Sequence, residues 1–317
     1  MEALFTALQG FLFQEFVLPL LYAFGLVEYA EGAFDALESV LLGAAQVAIA
    51  FALFAPLERW RPVEQWADRR EARLDVIYTL LQRLGLVPLF LFLVLSPVFQ
   101  TLEAWLRLQG FTPLELEALV PFLAAHPLAG FFVHLLVLDF SAYWMHRLQH
   151  RVEFWWALHA LHHSQRQMTF WTDDRNHLLD DALRYAWFTT VALAVGVPPD
   201  AFPWLLVAIA LVESLSHANV RLSFGPVGDR LLVSPRYHRI HHAVGLGHEG
   251  PARGCNFAAL FPAWDLLFGT ACFAPVYPAT GVGDQLQGRD YGDGFWRQQW
   301  LGLKRLAAAL GGRRSLG

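Results

Sequence analysis

Charged residues are scarce in this sequence. Asp, Glu, Lys and Arg make up 16% of its 317 residues, whereas hydrophobic residues make up 56% and the mean hydropathy is +0.36. Soluble domains carry about 25% charged residues, so this composition disfavours the buried helices of a large soluble protein and predicts a membrane protein. The net charge of −5 gives no reason to expect a nucleic-acid partner.

Cysteine and early positive charge are also nearly absent. The two cysteines, Cys255 and Cys272, are too few for a disulfide framework and match no metal-binding spacing. The first positively charged side chain belongs to Arg59, so the sequence predicts no cleavable signal peptide with a basic start. It also lacks the HExxH motif of zinc proteases and a glycine-rich nucleotide fingerprint after a strand.

Four apolar stretches are each long enough to predict a transmembrane helix. They cover about residues 12–29, 39–57, 76–100 and 128–145. Residues 39–57 contain no charge and would form a helix of about 28 Å, which matches a bilayer core of roughly 30 Å. The shorter apolar stretches within 185–215 are interrupted by Pro-Pro-Asp, which favours a hairpin that enters the membrane and returns to the same side. A pair of buried soluble helices is the alternative for that segment.

Arginines indicate which helix ends face the cytoplasm. Residues 58–73 hold five arginines directly after the second stretch, whereas residues 29–38 before it carry only acidic charges. The positive-inside rule therefore places 58–73, and by counting spans also the residues after 145, in the cytoplasm. Residues 295–314 predict a basic amphipathic helix on the same membrane surface. With no internal repeat or linker, the chain 1–317 is predicted to be one all-α membrane domain with a cytoplasmic, histidine-rich helical cap.

Histidine is concentrated in one part of the sequence. Ten of the thirteen histidines lie between residues 146 and 242. They are His146, His150, His159, His162, His163, His177, His217, His238, His241 and His242. Within the segments HRLQH, HALHH and HRIHH the histidines are three or four residues apart, or adjacent, so their side chains converge on one side of a helix.

This concentration predicts a metal centre. Eight or more partly buried imidazoles would be costly without something to bind, because each ring has two nitrogens that need partners. Imidazole is the commonest metal-ligand side chain, and it binds Zn, Cu, Fe and Ni. A tetrahedral site needs only about four ligands, so the set is large enough for two metal ions.

Two acidic residues lie close to these histidines in sequence. Glu213 precedes His217 by one helical turn, so it is either a ligand or the partner of an arginine such as Arg221. Asp139 shares a helical face with His146 inside an apolar stretch, where a charge is expensive. We predict that Asp139 accepts a hydrogen bond that orients a ligand imidazole.

Five segments, in this order, resemble the conserved boxes of the fatty acid hydroxylase and sterol desaturase superfamily. They are DFSAYWMHRLQH (139–150), LHALHHS (158–164), HAN (217–219), SPRYHRIHH (234–242) and WDLLFGT (264–270). The resemblance covers about residues 128–273. It implies about four transmembrane spans and a cytoplasmic cap in which two iron ions activate dioxygen against an unactivated C–H bond of a lipid.

The resemblance also implies a set of ligands and no further catalytic residue. It matches His146, His150, His159, His162, His163, His238, His241 and His242 to ligand positions, adds His217 as a further ligand, and makes Asn219 a supporting residue. It leaves His177 open between a ligand and a substrate-facing or structural residue. Zinc can replace iron at such sites. The segment QRQMTFWTDD, residues 165–174, departs from the family pattern, which puts the usual substrate class in doubt.

Together these features favour an oxygen-dependent hydroxylase of a fatty acyl, sterol or related lipid. Desaturation and ether-lipid cleavage begin with the same removal of a hydrogen atom, so they remain alternatives. A zinc-dependent membrane hydrolase and a metal transporter are alternatives of other classes. Because no nucleotide-binding motif is present, electrons are expected from a separate reductase or small redox protein.

Overall fold

The predicted all-α fold is confirmed. The computed structural model describes residues 2–112, 114–198, 202–245 and 253–312. Within those ranges there is no β-strand, and Ala243 and Thr280 form a single antiparallel bridge. The helices are α1 (Glu2–Leu12), α2 (Leu18–Phe24), α3 (Ala30–Trp60), α4 (Arg70–Arg83), α5 (Leu86–Leu108), α6 (Leu116–Leu119), α7 (Pro121–Ala125), α8 (Pro127–Arg151), α9 (Glu153–His163), α10 (Leu178–Val195), α11 (Phe202–His217), α12 (Gly225–Leu231), α13 (Pro235–His241), α14 (Ala263–Leu267) and α15 (Phe295–Leu310).

Four helical segments are long and apolar enough to cross a membrane. They are Phe5–Phe24, Val27–Trp60, Leu86–Leu108 and Pro127–Arg151. Large apolar side chains such as Phe51, Leu53, Phe90 and Leu93 are more than half exposed, which suits contact with lipid rather than with water. The chain is therefore an integral membrane protein.

Two of the expected spans have different limits. The first span covers Phe5–Phe24 instead of 12–29, because the helix ends where Gly25 adopts a φ of +68°. The third expected span, 76–100, starts too early, since α4 ends at Arg83 and Gly85 has a φ of +83°. Residues before this break belong to the polar cap, where the Thr79 hydroxyl donates to the carbonyl of Trp171. The spanning helix is α5.

The two short apolar helices pack against α8. Helices α10 and α11 correspond to the hairpin expected at 185–215. Residues 199–201, which include the last two residues of its Pro-Pro-Asp connection, lie outside the described residues. Leu205 and Ile209 of α11 are buried in one cluster with Leu135 and Leu138 of α8. This packing fixes the end of α11, and hence His217, beside the end of α8.

Helix α15 lies across the cap and contacts α9 closely. It is amphipathic as expected: Trp296 and Trp300 are exposed, whereas Gln299 and Arg305 are buried. The Arg305 Nε donates to the carbonyl of Ala157 in α9 at 3.1 Å. The helix therefore braces α9 from the side, and its position on a membrane surface remains a prediction.

Gly302 allows α15 to approach the rest of the cap. A Cβ atom at this position would overlap the Cδ2 of His177. We predict that Gly302→Ala lowers the free energy of unfolding by about 1–3 kcal/mol through overpacking. Thermal unfolding in detergent measures this, with Gly32→Ala as the control because a Cβ there meets nothing within 4 Å. Equal unfolding temperatures for Gly302→Ala and the wild type would contradict the packing.

Candidate metal centre

Nine imidazoles converge where the ends of α8, α9, α11 and α13 meet. They come from His146 and His150 of α8, from His159, His162 and His163 of α9, from His217 of α11, from His238 and His241 of α13, and from His242 directly after α13. All but His146 are almost completely buried. The histidines three or four residues apart on α8, α9 and α13 face one another because that spacing returns each side chain to the same side of its helix.

The imidazoles form two adjoining groups of four. One group is His146, His150, His163 and His241, and the other is His162, His217, His238 and His242. Within each group one ring nitrogen of every residue lies within 4.8 Å of the others. The His163 and His242 rings, one from each group, stack with their centres 4.3 Å apart. The two groups are therefore direct neighbours.

Facing ring nitrogens are spaced as metal ligands would be. The Nε2 atom of His217 lies 3.2 Å from that of His162 and 3.0 Å from that of His238. In the other group the Nε2 atoms of His163 and His241 are 3.1 Å apart. Nitrogens bound at about 2.0–2.1 Å to one tetrahedral ion are separated by roughly 3 Å, so both groups fit a metal ion.

Backbone carbonyls hold the opposite nitrogen of three of these rings. The Nδ1 atom of His146 lies 2.9 Å from the Phe257 oxygen, and that of His241 lies 2.7 Å from the Cys255 oxygen. His217 Nδ1 lies 2.7 Å from the carbonyl of Glu213 in its own helix. Such bonds fix the tautomer in which Nε2 carries the free lone pair, which is the form that binds metal.

Burial keeps the imidazoles in their neutral form. Burial first, and neighbouring imidazoles second, hold the pKa values of His162, His163 and His242 well below the usual value. In the described part of the chain, His146 Nε2 is buried with no hydrogen-bond partner. A buried nitrogen of this kind is costly unless it is ligated, so the donor set fits metal ions with nitrogen-rich coordination.

His159 stands between the two groups and has a carboxylate behind it. Its ring centre lies 5.3 Å from that of His162 and 5.1 Å from that of His163. Its Nδ1 lies 3.0 Å from the Oδ2 of Asp180, and its buried Nε2 has no hydrogen-bond partner among the residues described. Although burial alone would raise the pKa of Asp180, hydrogen bonds from His159 and Gln149 lower it below the usual value.

His177 is the one candidate histidine that does not join the other nine. Its Nδ1 accepts a hydrogen bond from the backbone N–H of Leu179 at the start of α10, and its Nε2 lies 2.9 Å from the carbonyl of Gln299 in α15. Both ring nitrogens are therefore used in joining α10 to α15. Of the roles left open for His177, this arrangement favours the structural one.

A cavity of about 370 Å³ leads away from the histidines. His146, His162 and His217 line one part of it, and charged side chains line the wall beside them. Leu91 and Phe188 are among the apolar residues that line the remainder. The histidine groups are thus reached through a space that suits a molecule with an apolar chain.

Comparison with known proteins agrees with this geometry. Residues 131–270 match the sequence model of the fatty acid hydroxylase family. This segment, which is less than half of the chain, is thus similar to the fatty acid hydroxylase superfamily. The predicted resemblance is therefore confirmed, and the matched region contains every histidine of both groups.

Individual relatives match over the same part of the chain. An ornithine lipid hydroxylase of Rhizobium tropici is 32% identical over 47% of this chain and 44% of its own length. An alkylglycerol monooxygenase of Homo sapiens is 33% identical over 42% of this chain and 28% of its own length. The matched segment thus spans less than half of these curated relatives. No solved structure matches the chain significantly.

The first and last fatty acid hydroxylase boxes fold against each other, and this corrects the role predicted for Asp139. Its carboxylate accepts hydrogen bonds from the backbone N–H of Leu260, at 2.8 Å, and from Trp264 Nε1, at 2.7 Å. It does not orient an imidazole, because α8 turns this face towards the 260–264 segment. Tyr143 similarly lies 3.0 Å from the hydroxyl of Thr270. Asp139 therefore acts on the imidazoles only indirectly. It positions the 260–264 segment, which closely follows the residues whose carbonyls lie behind His146 and His241.

Glu213 and Asn219 both lie outside the two imidazole groups. The Glu213 side chain lines the cavity, whereas Arg221 donates to the carbonyls of residues 62 and 63, so the expected Glu213–Arg221 pair is absent from the described structure. Asn219 Nδ2 donates to the carbonyl of Glu64 at 2.8 Å. Asn219 thus ties the segment after His217 to the loop that follows α3.

Asp180 was not identified from the sequence, and it gives a direct prediction. A carboxylate behind a ligand imidazole is commonly worth 10–100-fold in metal affinity or activity. We expect Asp180→Asn to weaken metal binding by about that factor, because His159 loses its charged partner. Competition with a chelator measures the affinity, and Asp293→Asn, at an exposed site, is the control. Unchanged affinity in Asp180→Asn would contradict this role.

Proposed function

We propose that this protein is an oxygen-dependent lipid monooxygenase that holds two iron ions in its two histidine groups. The observation that carries the proposal is the pair of adjoining four-imidazole groups at one part of a cavity in an integral membrane protein. When bound, the iron ions would supply the dioxygen activation and oxidising power that no side chain provides.

The chain's own residues would set the geometry for this chemistry. His146, His150, His163 and His241 would hold one ion, and His162, His217, His238 and His242 the other, with His159 beside both. The carbonyls behind His146, His217 and His241 fix the direction of their lone pairs. The apolar cavity wall would bind the hydrocarbon chain and exclude water from the reacting carbon.

Hydroxylation is the reaction we favour, and ether-lipid oxidation is the second candidate. Relatives with 32% and 33% identity carry the names ornithine lipid hydroxylase and alkylglycerol monooxygenase, and both names describe oxygen insertion into a polar lipid. Desaturation shares the first hydrogen abstraction but is named in neither. The zinc-dependent hydrolase and the metal transporter have no support from either relative.

The orientation and the electron donor belong to the same proposal. The five arginines within 58–73 support a cytoplasmic position for the histidine groups and the C-terminus. There a soluble reductase or small redox protein could deliver electrons. A reporter that is active only in the cytoplasm, fused to the C-terminus, should be active, and an inactive reporter with intact expression would contradict this orientation.

Oxygen uptake with defined lipids tests the reaction. The full chain, loaded with iron and supplied with a chemical reductant, should consume oxygen only when a lipid substrate is present. A gain of one oxygen atom in the lipid indicates hydroxylation, a loss of two hydrogens indicates desaturation, and release of a fatty aldehyde indicates ether cleavage. His162→Ala is the matched control. Lipid hydrolysis without oxygen uptake, dependent on zinc, would overturn the proposal.

A further inference from the structure

Three charged side chains on the cavity wall are not needed to hold the histidines. These are Asp181 and Arg184 of α10 and Glu213 of α11, called here the charged trio, and all three line the cavity. Other charges on this wall are already paired: Arg83 lies 2.6 Å from Asp173 and 2.9 Å from Asp174. The charged trio therefore holds the charged groups of this wall that remain available to bind a ligand.

The charged trio has electrostatic neighbours but no direct partner. In the part of the chain that the structure describes, the side chains of Asp181, Arg184 and Glu213 interact with other charges only through space, with no hydrogen bond of their own. Arg184 interacts electrostatically with both carboxyl groups across the cavity wall. Asp181 is only 7% exposed, and a carboxyl group so buried is costly without a hydrogen-bond partner. A ligand in the cavity would supply that partner.

The position of the charged trio relates it to the metal centre. Glu213 precedes His217 by one turn, about 6 Å along α11, and Asp181 follows Asp180, the partner of His159. Farther along the same helices the cavity is lined by the apolar Phe188 and Ile209. The polar part of the wall thus lies next to the histidines, and the apolar part begins beyond it.

We infer that the cavity binds a lipid with its polar headgroup inward, against the charged trio, and its hydrocarbon chain towards the apolar wall. Two carboxyl groups and one guanidinium line this part of the wall, so a headgroup with hydroxyl or amino groups, which can both donate and accept hydrogen bonds, suits it. The carbon that reaches the metal centre is then only a few bonds from the headgroup, not at the chain end. This inference rests on the proposed function, whose substrate class it narrows to lipids with free hydroxyl or amino groups.

Equilibrium binding without turnover tests this assignment. The iron-loaded full chain in detergent, kept free of oxygen, is titrated with two matched pairs of probes. The first pair is a monoalkyl glycerol ether and its di-O-methyl analogue, and the second is a long-chain amino alcohol and its fully capped derivative. The wild type should bind the uncapped member of at least one pair roughly tenfold more tightly, as expected for hydrogen bonds to charged groups. The pair that responds distinguishes hydroxyl from amino recognition.

Variants separate recognition from other roles of the carboxyl groups. Asp181→Asn and Glu213→Gln should each reduce the wild-type preference to less than about threefold without lowering iron content. Asp290→Asn, at an exposed site outside the cavity, should keep the full preference. Equal binding of capped and uncapped probes by the wild type would overturn the inference, as would full preference in both cavity variants.

Iron content is measured in the same samples, so a failure of the proposed function can be distinguished from a failure of the headgroup inference. Loss of iron in Asp181→Asn and Glu213→Gln would assign these carboxyl groups to balancing the charge of the metal ions, which overturns the inference. A wild type that binds no iron contradicts the proposed function, whatever its headgroup preference. A wild type with two iron ions, lipid oxidation and no headgroup preference contradicts the inference alone.

Discussion

Asp75→Ala is expected to lower the free energy of unfolding by about 3–5 kcal/mol, the usual cost of removing one partner of a buried ion pair. Asp75 of α4 is fully buried, and its Oδ1 accepts a hydrogen bond from Arg175 Nη1 at 3.0 Å. Its Oδ2 accepts from Gln165 Nε2 at 2.6 Å and from the Thr172 hydroxyl at 2.9 Å. The substitution would leave the buried guanidinium without its carboxylate and two donors without acceptors.

The hydrogen bonds around Asp75 also support the metal centre, so Asp75→Ala should lose metal more easily than the wild type. Arg175 Nε donates to the carbonyl of Leu161, the residue before His162. Thermal unfolding in detergent measures the stability, and chelator competition measures the metal affinity. Asp35→Ala removes an exposed carboxylate from α3 and should change stability by no more than about 0.5 kcal/mol. Equal unfolding temperatures for Asp75→Ala and Asp35→Ala would show that the hydrogen bonds of Asp75 do not contribute to stability.

His217→Ala and His177→Ala are expected to differ sharply, although both residues are buried histidines. The Nε2 atom of His217 faces those of His162 and His238, so its loss should remove the ion from that group and reduce lipid oxidation more than about 100-fold. His177→Ala should keep both ions. Its cost should be about 1 kcal/mol of stability, since it loses the cap of α10 and the bond to Gln299.

Metal analysis and oxidation rates on the two purified variants decide this contrast. The His177→Ala protein serves as the control for general damage, because it also removes a buried imidazole from the cap. Equal loss of metal from both variants would make His177 a ligand and contradict the arrangement described here. Full metal content in His217→Ala would remove His217 from the ligand set.

The histidine centre could be predicted from the sequence because helical periodicity is a local property. Residues three or four apart on one helix face the same way whatever the rest of the fold does, so HRLQH, HALHH and HRIHH each point their imidazoles to one place. That the three helix ends meet could be expected only from the number of nitrogens that needed partners. The structure brings nine of the ten candidates together, and His177 is excluded by contacts with α15, more than 120 residues away in sequence.

The acidic residues were predicted less well because their partners are distant in sequence. Asp139 accepts hydrogen bonds from residues 260–264, and Asp180 forms a hydrogen bond with the Nδ1 of His159. Helical position relates Asp139 to His146 but says nothing about which segment packs on that face. The segment 165–174, which departs from the family pattern, proves to be a hydrogen-bonded brace between α4 and the histidine helices, with Gln165 and Thr172 both bonded to Asp75.

The helix limits show the same division between local and distant effects. Residues 39–57 lie wholly inside α3, because an uncharged apolar run of that length is expected to form a transmembrane helix. The third span begins ten residues later than expected because Gly85 breaks the apolar run and α4 is held in the cap by its polar contacts. Apolar content alone does not mark such a break.

Iron content per chain tests the central claim most directly. The full chain, produced with iron and purified without strong chelators, should contain about two iron atoms, one for each four-imidazole group. His162→Ala and His241→Ala, one from each group, should each lose iron while Asp35→Ala keeps it. A single zinc or no metal in the wild type, unchanged by either histidine substitution, would contradict a two-metal centre.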